Sequence, residues 1–337
     1  MKNVKTMVND FGAAFFEKLG YLLNPVVLKF KSENKQLLIF YFHGLFESLK
    51  QKDLNLLYPQ HNMTVEQFVE FIEYFLSHNY RFILPKDLMQ GLENDQPYAM
   101  ITFDDGYFNN MLAIEILNKY QIPAVFFIST KNMVENKSYW WDIIYKFRAK
   151  QGISREKIEQ EITSLKNFRY NYVDDYILKT FGRDAFTPWS DISRPFNSDE
   201  IKQLSSNPYV SFENHTHNHS ILINYNREEI KEELSVSNKI LFDLTGTLPI
   251  AIAFPNGNFN QTVLEATIEE GFRYAFTTEP CQNLFPIENN KFTILSRYMT
   301  TTTDIDKFGG ACRLGYQPHA LYHDLKMHAK SIIKLNK

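Results

Sequence analysis

Tyr98-Ala99-Met100-Ile101-Thr102-Phe103-Asp104-Asp105-Gly106 is the stretch that decides the fold. Its first six residues form a short, almost wholly apolar run, read as a buried strand, and two carboxylates follow at its C-terminal end. In open or barrel-shaped α/β folds that rim is where ligands and catalytic groups collect. Neighbouring carboxylates there suit a divided task, one binding a cation and the other handling protons.

Outward from this run, strand and helix signals alternate. Leu37 to Phe42 is an apolar run ending at His43-Gly44. Thr64 opens a helix on which Val65, Phe68, Val69, Ile72, Phe75 and Leu76 keep helical spacing, with Thr64 and Gln67 as a capping box and Met63 and Phe68 as a hydrophobic staple. A strand at Arg81 to Leu84, a helix at Phe108 to Tyr120 and a strand at Ala124 to Ile128 complete the first half. The second half gives a strand at Tyr209 to Phe212, a helix from Arg227 to Leu244 ended by Gly246, a strand at Pro249 to Phe254, a helix at Gln261 to Glu270 and a strand at Arg273 to Thr277. Such βα units imply parallel strands. Between the halves, Lys131 to Asn207 is too long for a simple connection; it contains Tyr139-Trp140-Trp141-Asp142 and is expected to form a helical excursion over the rim.

A second chemical cluster lies in Glu213-Asn214-His215-Thr216-His217-Asn218-His219-Ser220. His215 and His219 are spaced i,i+4, which on a helical turn places them on one face, the spacing a metal asks for. With an aspartate they make a set of three protein ligands that leaves coordination open. Taken alone, an Asp-Asp pair after a strand also serves as a helix cap and solvated turn, and clustered histidines also occur in solvated loops. Both motifs follow strand-like runs, as rim residues of one barrel do, and this joint context favours a metal site.

At these residues the chain resembles the polysaccharide deacetylases (NodB-homology domain, carbohydrate esterase family four), whose T-F-D-D-G and H-[ST]-x-x-H motifs occur in this order. The resemblance covers roughly residues 36 to 300 and implies a distorted (β/α)7 barrel. It implies Asp105, His215 and His219 as ligands of a divalent metal, zinc by default with nickel, cobalt or iron fitting the same set, and Asp104 as catalytic base. Ala253-Phe254-Pro255-Asn256-Gly257 is similar to the family's R-x-P-[YF]-G, which makes Pro255 and Asn256 groove residues and gives the Asn256 backbone N–H to the oxyanion.

Two departures stand out. The motif arginine is Ala253 here and its aromatic is Asn256. Arg297, after Phe292-Thr293-Ile294-Leu295-Ser296, looks like a residue that replaces the arginine in a subgroup of relatives; it also fits a surface charge after an edge strand. The family's late histidine, its general acid, is missing as well. His43 is the best substitute as proton donor to the leaving amine, and it also reads as a rim histidine satisfied by backbone. Tyr107, Trp141, Thr216, Pro255, Asn256 and Arg297 are the expected substrate-side residues, the aromatic ones offering flat faces to a sugar ring.

The implied activity is removal of an N-acetyl or O-acetyl group from a sugar of a polysaccharide or glycan precursor. A deformylase or other amide hydrolase on the same scaffold, or a non-catalytic carbohydrate-binding relative, is the alternative. The net charge of −3 over 337 residues argues against nucleic acid as a bulk electrostatic partner. Cys281 and Cys312 form no framework and read as ordinary thiols. After Lys2 and Lys5, Asp10, Glu17 and Lys18 interrupt any long apolar core, so no secretory signal is read; a cytoplasmic or cytoplasmic-membrane-surface location is expected. The organisation expected is an N-terminal helical segment at 1–35, whose residues 11–30 either lie on a membrane surface or pack on the barrel, followed by the deacetylase-like domain at 36–337 with the insertion at about 131–207.

Overall fold

Strand pairing radiates from the run that ends in the aspartate pair. The computed structural model describes residues 27–54, 56–59, 63–287, 291–300 and 304–315. Its principal strands are β1 (Gln36–Phe42), β2 (Leu45–Phe46), β3 (Met63–Thr64), β4 (Arg81–Phe82), β5 (Tyr98–Phe103), β6 (Ala124–Ile128), β7 (Val210–Asn214), β8 (Ala251–Ala253), β9 (Tyr274–Phe276), β10 (Asn283–Leu284), β11 (Thr293–Leu295) and β12 (Tyr298–Met299). The main path runs β1-β5-β6-β7-β8-β9-β11, all pairs parallel. Only Ser296 and Arg297 separate β11 from β12, and β12 pairs in parallel with β1. The last stave therefore touches β9 with its first half and β1 with its second, and the sheet nearly closes into a distorted (β/α)7 barrel.

The pleat sorts side chains to two cores. Leu37, Ile39, Met100, Val125, Phe127 and Phe276 point inward and fill the barrel. Leu38, Phe40, Phe42, Ile101, Phe103 and Phe126 point outward beneath the helices, meeting Phe68, Phe71 and Phe75 of helix Val65–Ser77. These rings pack edge-on or offset, as in Phe42 against Phe71 at 5.3 Å and Phe103 against Phe126 at 5.0 Å. Each such pair adds roughly 0.5–1.5 kcal/mol beyond area burial. The helix start is as its sequence predicts, since Thr64 and Gln67 close a reciprocal capping box. The expected strand at 81–84 is shorter: Ile83 N–H still donates to Ala99 O at 3.0 Å, but Pro85 opens the helix Pro85–Gln90 and ends the pairing there.

Between β6 and β7 the chain makes the helices Thr130–Glu135, Trp140–Lys150, Arg155–Leu165, Tyr170–Phe181 and Ser198–Leu204. Trp141, Ile144, Ile158, Ile162, Leu165 and Val173 give this excursion a core of its own. Among the described residues no helix is long and apolar enough to cross a membrane. The apolar N-terminal segment, except residues 27–30, and the tail histidines His319, His323 and His328 lie outside the described residues.

Candidate active site

Asp104 keeps the inward parity of Met100 and Thr102, and its backbone N–H donates to Phe42 O at 2.9 Å as if the strand continued. Asp105 breaks the strand, with φ of +72°. Gly106 follows at φ +87°, where a Cβ would meet Ile128 Cδ1 at 2.8 Å, so the motif's glycine is sterically required. The carbonyl of Asp105 accepts from Ser129 N at 3.2 Å and from the Tyr139 hydroxyl at 2.8 Å, which fixes the turned residue from the insertion side.

Arg297 grips Asp104 with two parallel hydrogen bonds, Nη1 to Oδ1 at 2.7 Å and Nη2 to Oδ2 at 2.8 Å. Its Nε donates to Thr277 O and its Nη1 also to Thr102 Oγ1. The side chain is fully buried, so it is not a solvated charge after an edge strand. Burial alone would raise the Asp104 carboxyl, but the charges of Arg297 and His215 and the guanidinium hydrogen bonds outweigh it and hold the group below the usual carboxylate range.

His215 and His219 meet at Asp105. The Nε2 atoms lie 3.3 Å and 3.1 Å from Asp105 Oδ1. Nδ1 of His215 is 2.8 Å from Ala253 O. A proton on Nδ1 to serve that carbonyl leaves Nε2 as a bare lone pair aimed at a carboxylate. Both Asp105 oxygens are buried without a well-formed hydrogen bond, and one ligand atom from each of the three residues falls within 4.8 Å of the others. A buried carboxylate facing imidazole nitrogens is satisfied either by protons on those nitrogens or by a cation among them, and this three-residue donor set fits a divalent metal. Burial works to raise Asp105, and the three imidazoles of His43, His215 and His219 hold it well below the usual value.

The geometry is reached differently from what the spacing predicts. Residues 215–221 form a bent loop rather than a helical turn. Thr216 and His219 both take positive φ, +63° and +51°, and this bends the two rings together at 4.9 Å between centroids. Thr216, expected on the substrate side, is fully buried and braces the loop: its N–H donates to Asn214 Oδ1 and its Oγ1 accepts from Ser220 N at 2.8 Å. His217 turns away to Thr130 Oγ1 at 3.0 Å.

His43 stands at the end of β1 with Nε2 3.9 Å from Asp105 Oδ2. Burial lowers its pKa below the ordinary histidine value against the pull of Asp105 and Asp104. A cavity of about 260 Å³ opens over these groups. Of the residues expected to touch substrate, Trp141 and Asn256 line it; Tyr107, Thr216 and Pro255 do not. Arg297 reaches it only through Asp104. Tyr107 is spent behind the wall, where its hydroxyl donates to Asp142 Oδ2 at 2.6 Å and accepts from Trp141 Nε1 at 2.9 Å. The Trp141 ring in turn packs 4.6 Å from that of His219. Asp142 is buried and pushed up to about 7.

Sequence reasoning missed Lys131, Lys166 and Phe168, which line the cavity from the insertion. Tyr139 and Asp142 belong to the noted Tyr139-Trp140-Trp141-Asp142 stretch, but nothing in its pattern tells that they brace Asp105 and Tyr107.

A carboxylate pair and two histidines stand together at the C-terminal rim of a parallel barrel, where ligands and catalytic groups collect. The chain belongs to the polysaccharide deacetylase family, whose model matches residues 91–275. It is similar to the putative polysaccharide deacetylase YxkH of Bacillus subtilis (strain 168), 25% identical over 137 residues, which cover 38% of this chain and 49% of that protein. The chain thus spans about half the length of the curated relative it matches. Among solved structures it is similar in fold to the Streptococcus pyogenes deacetylase PplD in complex with acetate, at 16% identity and a TM-score of 0.54 over 80% of this chain and 93% of that one. IcaB from Ammonifex degensii gives 15% identity and a TM-score of 0.55 over 83% and 98%.

Proposed function

We propose that the protein is a divalent-metal-dependent carbohydrate deacetylase that hydrolyses the N-acetyl group of an amino sugar. The observation that carries this reading is the buried Asp105 carboxylate, which faces two histidine Nε2 atoms beside an Asp104 clamped by Arg297. Asp105, His215 and His219 would hold the ion. Zinc is the default for this donor set, and it supplies Lewis acidity toward the acyl oxygen and acidifies water.

The remaining work falls to the chain's own groups. Asp104 is ionised at neutral pH and fixed in orientation by the guanidinium, so it takes the proton of the attacking water at a defined oxygen. The backbone N–H of Asn256, in a turn with φ of +60°, donates to the oxyanion. His43 is placed to give a proton to the departing amine, which leaves poorly without one, and since burial lowers its pKa it must take up that proton within the catalytic cycle, as from the water that Asp104 deprotonates. Trp140 and Trp141 border the cavity and offer ring faces to the sugar.

The test is a purified protein assayed for bound metal and for acetate release from N-acetylated amino-sugar glycosides and oligosaccharides. One equivalent of divalent metal together with acetate release is expected. Formate release from N-formylated sugars without acetate release would replace the reading by a deformylase; binding of sugar without metal or hydrolysis would replace it by a lectin-like role.

A further inference from the structure

The cavity lining combines the aspartates and histidines with a wall from the insertion, through Ile162, Leu165, Phe168 and Val173, and with cations. Lys131, Lys137 and Lys166 all line it. Lys137 is neutralised by Asp174. Lys131 and Lys166 have no carboxylate partner among the described residues.

Both are held in place by neutral groups. The Lys166 ammonium donates to Asn256 Oδ1 at 2.7 Å, across 90 residues of sequence. Asn256 is the position where the family motif carries an aromatic, so the departure supplies the acceptor that anchors this lysine. The Lys131 ammonium sits 4.4 Å from the centroid of the Tyr170 ring, and its backbone N–H donates to His217 O at 2.8 Å, which ties it to the loop bearing the histidines. Both side chains are half-buried. Burial pushes Lys166 below the ordinary lysine value, with Asp105 pulling the other way. Cations kept partly out of water with no carboxylate in salt-bridge contact cost desolvation energy that an incoming anion offsets.

We propose that Lys131 and Lys166 form a phosphate subsite of the active-site cavity, so that the acetamido sugar it accepts is a phosphate ester. The proposal rests on the deacetylase reading of the cavity and narrows its substrate class. Phosphate is favoured over carboxylate because, among the described residues, the cations lining the cavity are lysines, point charges suited to a multiply charged oxyanion. The apolar residues of the insertion that share the lining leave the carrier open between a nucleotide and a lipid, which the test separates.

Binding is measured by calorimetry on the metal-loaded protein with N-acetylglucosamine 1-phosphate, its prenyl phosphate diester-linked analogue, UDP-N-acetylglucosamine and the neutral methyl glycoside. The wild type is expected to prefer the phosphorylated sugars by about 10-fold or more. The preference should drop to within about threefold in Lys131→Met/Lys166→Met and persist in Lys166→Arg. Tighter binding of the UDP sugar than of the 1-phosphate assigns a nucleotide carrier, and tighter binding of the prenyl compound assigns a lipid carrier; both support the subsite. Equal affinity for charged and neutral sugars, no binding of any phosphorylated sugar, or a preference that survives in the double variant, where the ion alone would hold the phosphate, overturns it. Acetate release, assayed separately, decides the deacetylase reading: a lysine-dependent preference without hydrolysis would leave the subsite standing and remove the activity.

Discussion

Asp104 and Asp105 share a peptide bond and almost nothing else. Asp104 continues the strand and is answered by a guanidinium on both oxygens; Asp105 leaves it at positive φ and is answered by imidazoles. Their amides should therefore fail differently. Asp104→Asn is expected to lower turnover by roughly 10²- to 10⁴-fold with metal content intact, and Asp105→Asn to lose or weaken metal binding; equal metal retention in both variants would refute the division of labour. Arg297 carries a second prediction. Its removal leaves Asp104 buried and unpaired, so Arg297→Met should cost about 3–5 kcal/mol in urea unfolding as well as activity. Arg297→Lys should rescue neither fully, because a lysine cannot reproduce the two parallel hydrogen bonds. His43 separates proton donation from placement: His43→Ala should depress turnover of an N-acetyl amino sugar far more than that of an activated aryl acetate, whose leaving group needs no proton. Equal losses on both would assign it a positional role.

At the scale of elements, the histidine loop shows how a correct ligand set can be read for an incorrect geometric reason. An i,i+4 spacing predicts a shared helical face, yet residues 215–221 are a loop whose left-handed Thr216 and His219 bring the rings together. The spacing survives because both routes shorten the chain between the histidines; the backbone conformation is not legible, since positive φ is rare for Thr216 and, though more frequent for histidine, is not its default at His219. Thr216, expected on the substrate side, is instead the loop's brace, and Thr216→Ala should lower metal affinity on the order of 10- to 100-fold, measured by competition with a chelator, while the barrel stays folded. The aspartate pair was legible because strand, carboxylates and glycine are contiguous. Arg297 was legible only through resemblance, because its approach to Asp104 depends on the kink between β11 and β12, 193 residues away from its partner. The Lys166 to Asn256 contact had no local signal at all, joining a helix end of the insertion to a rim loop.

On the whole-molecule scale the periodic strands and helices foretold the βα alternation, but closure of the ring is a long-range event that no window of sequence contains. The thinnest seam is between β7 and β8, where the ladder registers only Asn214 against Ile252. There Glu213 substitutes for missing strand pairing: its Oε2 accepts the N–H groups of Ile250 and Ala251, each at 2.9 Å. Burial nevertheless dominates and pushes this carboxyl up to about 7, above its ordinary value of 4.5. The folded protein therefore binds this proton more tightly than the unfolded chain. Its contribution to stability is complete below the unfolded value and is lost as pH rises toward 7, the reverse of a salt-bridged carboxylate such as Asp104. Asp142, likewise pushed up to about 7 by burial, adds to the same slope. Glu213→Gln keeps an acceptor for the two N–H groups and removes the titration. The unfolding free energy of the wild type should fall between pH 5 and pH 8 by more than that of Glu213→Gln, with a difference of a few kcal/mol at most; parallel pH profiles for the two proteins would show that the seam carboxylate is ionised in the fold and that the N–H pair, rather than burial, sets its state.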